Sequence, residues 1–218
     1  MTLPRLILAS GSPQRKRLLS EAGYEFEIRV PDDSAENCGI CSTGGPAALV
    51  TELALRKAAD VARTMADVDT EDEPSLIIAC DTVAECGGAV LGKPRDEQHA
   101  RDMLQRLHGQ DQRVFSGLCL WPFNLGLWPI NLGLWPTQLN SSNQVPQTYL
   151  AVTELRMDPI SAADLEDYLA SGLWQGKAGA FGYQDRQGWL HILDGSESNV
   201  IGLPMEVLVE QLGAFETD

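Results

Sequence analysis

The chain has 218 residues, 44% of them hydrophobic, with 31 acidic side chains against 16 basic ones and a formal net charge of −15. That apolar content suffices for one large domain core, while the acidic balance argues against general affinity for nucleic acid and leaves room for a small phosphorylated ligand where the few cations are focused. No apolar run is long enough to span a membrane, and the charges that follow the short N-terminal apolar run argue against a signal peptide, so a cytoplasmic chain with reduced cysteines is expected.

The run RLILAS reads as a short strand, followed by Gly11, Ser12 and Pro13 and by a basic helical segment, QRKRLLSEAGY. Proline is favoured at the first helical position, because the amide it lacks would be unpaired there. A strand that ends in a Gly/Ser turn at a helix start offers free amides and hydroxyls under the positive end of the helix dipole, which makes Ser10, Gly11 and Ser12 a candidate anion site. Arg15 and Lys16 sit unfavourably in that first turn unless an anion binds; a capped helix with surface cations is the plainer alternative. EFEIRV is a second strand, and PDDSAENCGICSTGG a loop. Its Cys38 and Cys41 form a lone CxxC, two ligands short of a structural zinc site.

A helix is predicted over about 46–65 from the spacing of apolar residues in PAALVTELALRKAADVARTMA, and the acidic run ADVDTEDEP at 66–74 is a solvated loop. SLIIAC is a buried strand that delivers Asp81 and Thr82 at its end, where open sheets place ligand clefts. Asp81 is therefore a candidate general base. TVAECGGAVLG alternates around Gly87-Gly88, the mark of a tight hairpin. GGAVLGKP has the glycines and lysine of a phosphate loop, but Pro94 stands where Ser or Thr is needed, so a Walker loop is rejected. Lys93 and Arg95 can still reach a phosphate from the strand end.

After the helix DEQHARDMLQRLHG and the strand RVFSGLCL comes CLWPFNLGLWPINLGLWPTQL, in which Leu-Trp-Pro recurs three times at a spacing of seven. A coiled coil is excluded, because Pro122, Pro129 and Pro136 would each cost roughly 3 kcal/mol in a helix interior. A solenoid needs units of about 20 residues or more. Residues 121–147 are instead expected to be a long insertion joining two strands within a single domain, 1–218, its tryptophans packed on the body or on a partner. The strand TYLAVTELRM, the helix SAADLEDYLASG, the glycine-rich turn KAGAFGYQ, the strand WLHILDG, the motif GSESNVIGLP and a closing helix over about 204–213 complete the chain. Small residues around Lys177 and Gln184 allow close backbone approach to a ligand, and glutamine can read a base edge with both a donor and an acceptor. Strands and helices mingle without regular alternation, which predicts an α/β or α+β fold with a mixed, twisted sheet. The three histidines, His99, His108 and His191, are scattered, and neither G-x-S-x-G nor H-E-x-x-H occurs, so Ser/His/Asp hydrolysis has little support.

Five segments, LILASGSPQRKRLL, IIACDTV, GAVLGKPRDEQHARDML, KAGAFGYQ and GSESNVIGLP, together resemble the Maf family of septum-formation-inhibitor-like proteins. The likeness covers nearly the whole chain apart from residues 121–147. It implies an elongated mixed sheet with two lobes around a cleft, of the Maf and inosine-triphosphatase kind and often dimeric. The activity implied is hydrolysis of a nucleoside triphosphate to its monophosphate and diphosphate with a divalent cation, Mg or Mn. Carried onto this sequence, Asp81 becomes the general base. Ser10, Gly11, Ser12, Arg15, Lys57, Lys93 and Lys177 become the phosphate cradle, and Asp81 the first candidate metal ligand, with Asp33 and Glu36 as weaker ones. Family members that prefer dTTP and UTP are similar at Thr82 and Gln184 but carry Arg in place of Gln14. Those that prefer 7-methyl-GTP have an aromatic residue there and Glu in place of Gln184, so the expectation leans to dTTP and UTP, with modified nucleotides as the rival. Two other classes stay open: a non-catalytic nucleotide-binding regulator of septum formation, and a redox or zinc protein built on Cys38 and Cys41.

Overall fold

The apolar runs RLIL and SLIIAC lie side by side as parallel strands, β1 (Arg5–Leu8) and β3 (Ser75–Cys86). The computed structural model in which they pair describes residues 3–36, 44–68, 73–125, 145–185 and 188–216. A two-residue strand, β2 (Glu27–Ile28), adds to β1 in parallel. On the other side of β3, the strands β5 (Asp111–Phe123), β6 (Gln147–Met157) and β7 (Leu190–Asp194) follow one another antiparallel. The sheet order is β2-β1-β3-β5-β6-β7, and β4 (Ala89–Leu91) folds back on β3. This is the mixed sheet expected from the irregular order of elements.

Helices cover both faces. The long helix α3 (Gly45–Val68) packs Ala54, Ala58 and Val61 against Ile7, Ile77 and Cys119. The opposite face carries two separate cores. One joins α1 (Pro13–Glu21) and α7 (Met205–Leu212) to β1 and the first half of β3 through Leu19, Ile78, Leu208 and Phe215. The other joins α4 (Glu97–Leu107) and α5 (Ala162–Ser171) to the far half of the sheet through Leu104, Val114, Leu155 and Tyr168. A cleft opens where one core gives way to the other.

Four expectations need correction. First, β3 does not end at Asp81 but runs on through Thr82 to Cys86, because β5 pairs with it continuously from Ser75 to Glu85. Second, the loop after β2 contains one helical turn, α2 (Asp33–Glu36), started by the Asp32 carboxylate, which accepts from the Ser34 amide at 2.9 Å. Third, GSESNVIGLP contains the short helix α6 (Glu197–Ile201), capped by Ser196 at the Asn199 amide. Fourth, the first Leu-Trp-Pro copy belongs to β5, where Trp121 and Pro122 pair with Ile77 and Leu76, so the link to β6 begins at Asn124 rather than at residue 121. Proline is tolerated there because β6 stops pairing at Leu120, which leaves that edge of β5 free of a partner that would need the missing amide. Trp121 packs against the α3 side of the sheet. The other two copies, Cys38 and Cys41, residues 69–72 of the acidic run and the side chains of Glu36 and Gln184 lie outside the described residues, while the start of that run continues α3 to Val68 instead of forming loop.

The Gly87-Gly88 hairpin forms as expected, with both glycines at positive φ. Glu85 fixes it, accepting from the Gly88 amide at 2.6 Å and from Arg113 Nε at 2.9 Å.

Of the five cysteines, Cys80, Cys86 and Cys119 are buried free thiols. Burial pushes all three above the ordinary thiol range, Cys119 to about 12. The thiolate is the reactive form, so these three are expected to react with a thiol reagent at pH 8 only after denaturation, and a native-state titration counting more than two fast thiols would contradict this burial. The sign of the stability effect follows. The folded state holds the Cys119 proton where the unfolded chain releases it, so the stabilisation is complete below about pH 8.5 and is lost progressively as pH rises towards about 12.

Candidate active site

The cleft is built on an exchange of partners along one edge of β3. Strand β1 pairs with that edge only as far as Leu8 and Ile78, and β4 takes it up again at Ala84, while β5 occupies the other edge throughout. Residues 79–83 therefore face a gap in the sheet, beyond the carboxyl end of β1, which is where open α/β sheets place their ligands. Asp81 and Thr82 sit in this gap and, by strand alternation, point to opposite faces. Asp81 thus lines a cleft, although the strand does not stop there.

On one face Asp81 meets α3. Its Oδ1 accepts from Lys57 Nζ at 2.7 Å, with the side chains 15% and 7% exposed. On the other face Thr82 shares a hydrogen bond with Ser116 at 2.8 Å and lies 3.4 Å from Arg15 Nη2. Arg15 leaves the first turn of α1 to donate through Nε to the Gly202 carbonyl at 2.8 Å and through Nη1 to Ser10 Oγ at 3.2 Å. Each of these acceptors is neutral, so its positive charge has no carboxylate partner among the described residues. Ser10 Oγ also accepts from the Ser12 amide at 3.1 Å, and Ser12 Oγ donates to Gln14 Oε1 at 3.0 Å, which draws Gln14 into the turn as a neutral neighbour. Gly202 is held in place by α6, whose buried Asn199 donates to the Val114 carbonyl at 3.3 Å and to Thr153 Oγ1 at 2.9 Å.

The remaining cations come from the far lobe. Lys93 follows β4, and the KAGAFGYQ segment is tied beside it by the Gly179 amide, which donates to the Gly92 carbonyl at 3.0 Å. Gly179 adopts φ +68°, and a methyl group there would press on Ala84 at 3.3 Å, which accounts for the glycine at this close approach. Lys177 is ion-paired with Asp185, a carboxylate 5% exposed that also accepts from Tyr168 Oη at 2.6 Å and from the Gly182 amide at 3.2 Å. Burial and this neighbouring carboxylate push the Tyr168 phenol far above its ordinary value, so Tyr168 remains a donor to Asp185.

One cavity of about 420 Å³ is lined by Ser10, Gly11, Ser12, Gln14 and Arg15, by Lys57, Asp81 and Thr82, and by Lys93 and Lys177. A ligand cleft of small-molecule size thus gathers these candidate residues, and Asp33 lines it too. Arg95 does not, being turned to His99 Nδ1 at 3.4 Å. Sequence reasoning missed Asp185, one residue beyond the KAGAFGYQ motif, and Gln112, a polar residue on the inward phase of β5. No group of three or more His, Cys, Asp or Glu side chains poised to hold a metal ion occurs among the described residues.

A chain of net charge −15 has thus focused four cations and a Gly/Ser helix start on one carboxylate-bearing gap, an arrangement suited to a polyanion. Comparison with known proteins finds relatives that align with nearly the whole chain. The dTTP/UTP pyrophosphatase of Rhodopirellula baltica is 44% identical over 97% of this chain and 82% of its own length. The nucleoside triphosphate pyrophosphatase of Synechococcus elongatus is 33% identical over 99% of this chain and 96% of its own. Among solved structures, a HAM1 protein from Coxiella burnetii aligns with 97% of this chain and 99% of its own at 15% identity and a TM-score of 0.47. A family model described as Maf-like protein matches residues 5–215, from the first residue of β1 to beyond α7 and through every segment that lines the cleft, and the chain belongs to that family.

Proposed function

We propose that the chain is a nucleoside triphosphate pyrophosphatase of the cytoplasm that cleaves dTTP and UTP to the monophosphate and diphosphate. The observation that carries this reading is the convergence of Asp81 with Arg15, Lys57, Lys93 and Lys177 in the gap between β1 and β4. The Ser10-Gly11-Ser12 turn and the cations cradle the triphosphate, with Arg15 bringing a charge that no carboxylate among the described residues neutralises. Asp81, oriented by Lys57, takes a proton from the water whose oxygen bonds to the α-phosphorus. The bond from that phosphorus to the bridging oxygen breaks, and diphosphate leaves with the electron pair. Phosphoryl transfer demands positioning and charge more than covalent catalysis, and this is what the cleft supplies.

The acidic side chains at the cleft fit a magnesium or manganese ion that arrives with the nucleotide better than a resident one. Asp81 has one oxygen taken by Lys57, and Asp33 is the other described carboxylate at the phosphate end. Magnesium is commonly held by one or two carboxylates together with substrate phosphates and water, and when bound it would neutralise charge on those phosphates. Homodimeric assembly belongs to the same proposal. The test is diphosphate release from dTTP, UTP, CTP, GTP, ATP and 7-methyl-GTP with magnesium or manganese. Turnover strongest on dTTP and UTP is expected despite the neutral Gln14. Preference for 7-methyl-GTP would overturn the pyrimidine assignment, and no turnover on any nucleotide would overturn the activity.

A further inference from the structure

We infer that Gln112 determines base specificity, its side-chain amide hydrogen-bonding a carbonyl of the pyrimidine ring; this rests on the pyrophosphatase reading and extends it from the phosphates to the base. Gln112 lies in β5 in the same alternation phase as Val114, Ser116 and Leu118, which places it on the inward face of the strand. The residue is only 6% exposed, and its Nε2 is buried without a hydrogen-bond partner among the described residues. It lines the same cavity as Asp81 and Arg15. A buried amide donor with nothing to bind is an unfavourable choice for a core position, which an apolar residue would fill better. Its presence makes sense if a ligand supplies the acceptor.

The surroundings indicate what part of a ligand that is. Around Gln112 the cavity is walled by Leu107, Val114, Leu155, Phe181 and Leu190, and Phe181 is backed by Trp189 at a ring-centroid distance of 5.4 Å. A charged phosphate would be poorly solvated there, whereas a flat base with one polar edge fits an apolar slot holding a single amide. Position agrees as well. Ser116 pairs with Thr82 across the strands, and Gln112 lies four residues further along β5, about 13 Å at the rise of a strand. That is the scale of an extended mononucleotide whose triphosphate lies at Arg15 and Asp81. Thymine and uracil each offer two ring carbonyls to the donor, cytosine and guanine one, and adenine none.

The experiment uses the full chain as wild type, Gln112→Leu and Gln112→Met. It reads kcat and KM for dTTP, the inhibition constant of inorganic tripolyphosphate, which has phosphates and no base, and the melting temperature without ligand. Both variants should raise KM for dTTP roughly 10- to 100-fold with little change in kcat. Tripolyphosphate inhibition should be unchanged, and the melting temperature equal to or above that of the wild type, since an unpaired donor has been removed. An unchanged KM in both variants, or an equal weakening of tripolyphosphate, would overturn the assignment while leaving the activity standing. Absence of turnover by the wild type would instead overturn the activity, and the assignment with it.

Discussion

Gly117→Ala is expected to destabilise the folded chain by roughly 3 kcal/mol, a fall in melting temperature of about 6–12 °C. A methyl group on Gly117 would lie 2.3 Å from the Val50 carbonyl oxygen and 2.6 Å from the Thr51 amide nitrogen, both backbone atoms of α3 that no side-chain rotation can move aside. The helix has to lift from the sheet or the strand has to bend. The consequence reaches the site, because Gly117 is the register partner of Asp81, and Lys57 lies two helical turns beyond Val50. Close approach of α3 at Gly117 is what lets Lys57 reach Asp81, so turnover should fall along with stability. Gly92→Ala is the control: its new methyl would meet nothing within 4 Å and its φ is ordinary, so it should stay within about 0.5 kcal/mol of the wild type. Thermal unfolding of the two variants decides the matter. Equal melting temperatures would mean that the helix is not seated on the sheet through this glycine.

How much of this was legible in the sequence follows from how local each feature is. The Gly/Ser turn was legible because glycine, serine and proline at a strand-to-helix junction act within a few residues: Ser12 caps the helix that Pro13 begins, and Arg15 follows in its first turn. The hairpin at Gly87-Gly88 was legible for the same reason. The expected strand was cut short at Asp81, because what opens the cleft is the exchange of β1 for β4 along β3, and no residue of β3 encodes its neighbour's end. The first Leu-Trp-Pro copy looked like loop because proline suggests an ending, yet a strand accepts proline wherever its second neighbour has already stopped. Asp185 was missed because its role is tertiary, a carboxylate that steadies Lys177 and is itself steadied by Tyr168 from α5. Gln112 did carry a signal. The alternation of β5 puts it in phase with buried residues, and a polar side chain on an apolar phase asks for a partner.

Asp81→Asn is expected to lower kcat by about 10²- to 10⁴-fold, the usual contribution of a positioned general base, while nucleotide still binds. The same change should destabilise the free protein by up to about 3 kcal/mol, because it replaces the carboxylate that accepts from the buried Lys57 ammonium, 7% exposed, with a neutral amide. Asparagine keeps an oxygen that can accept from Lys57, which places the loss towards the lower end of that range. A triphosphate brings negative charge to the same ammonium, so saturating dTTP should restore stability, by about 2.7 kcal/mol at 100 times its dissociation constant. A protein with this pattern, inactive, less stable when free and recovered by nucleotide, has its base at Asp81. Turnover that survives the substitution would remove Asp81 from the chemistry, and a wild-type division phenotype that persists in the inactive variant would favour a regulatory role for nucleotide binding. The double variant Asp81→Asn with Lys57→Met separates chemistry from architecture. Replacing both members of a buried ion pair with groups that need no counter-charge is often neutral or stabilising, whereas breaking the pair is not. The double variant should therefore regain stability and remain inactive, which would mean that the fold does not need the charges and the reaction does. A double variant no more stable than Asp81→Asn alone would mean instead that Lys57 and Asp81 are held together for the sake of the sheet and α3.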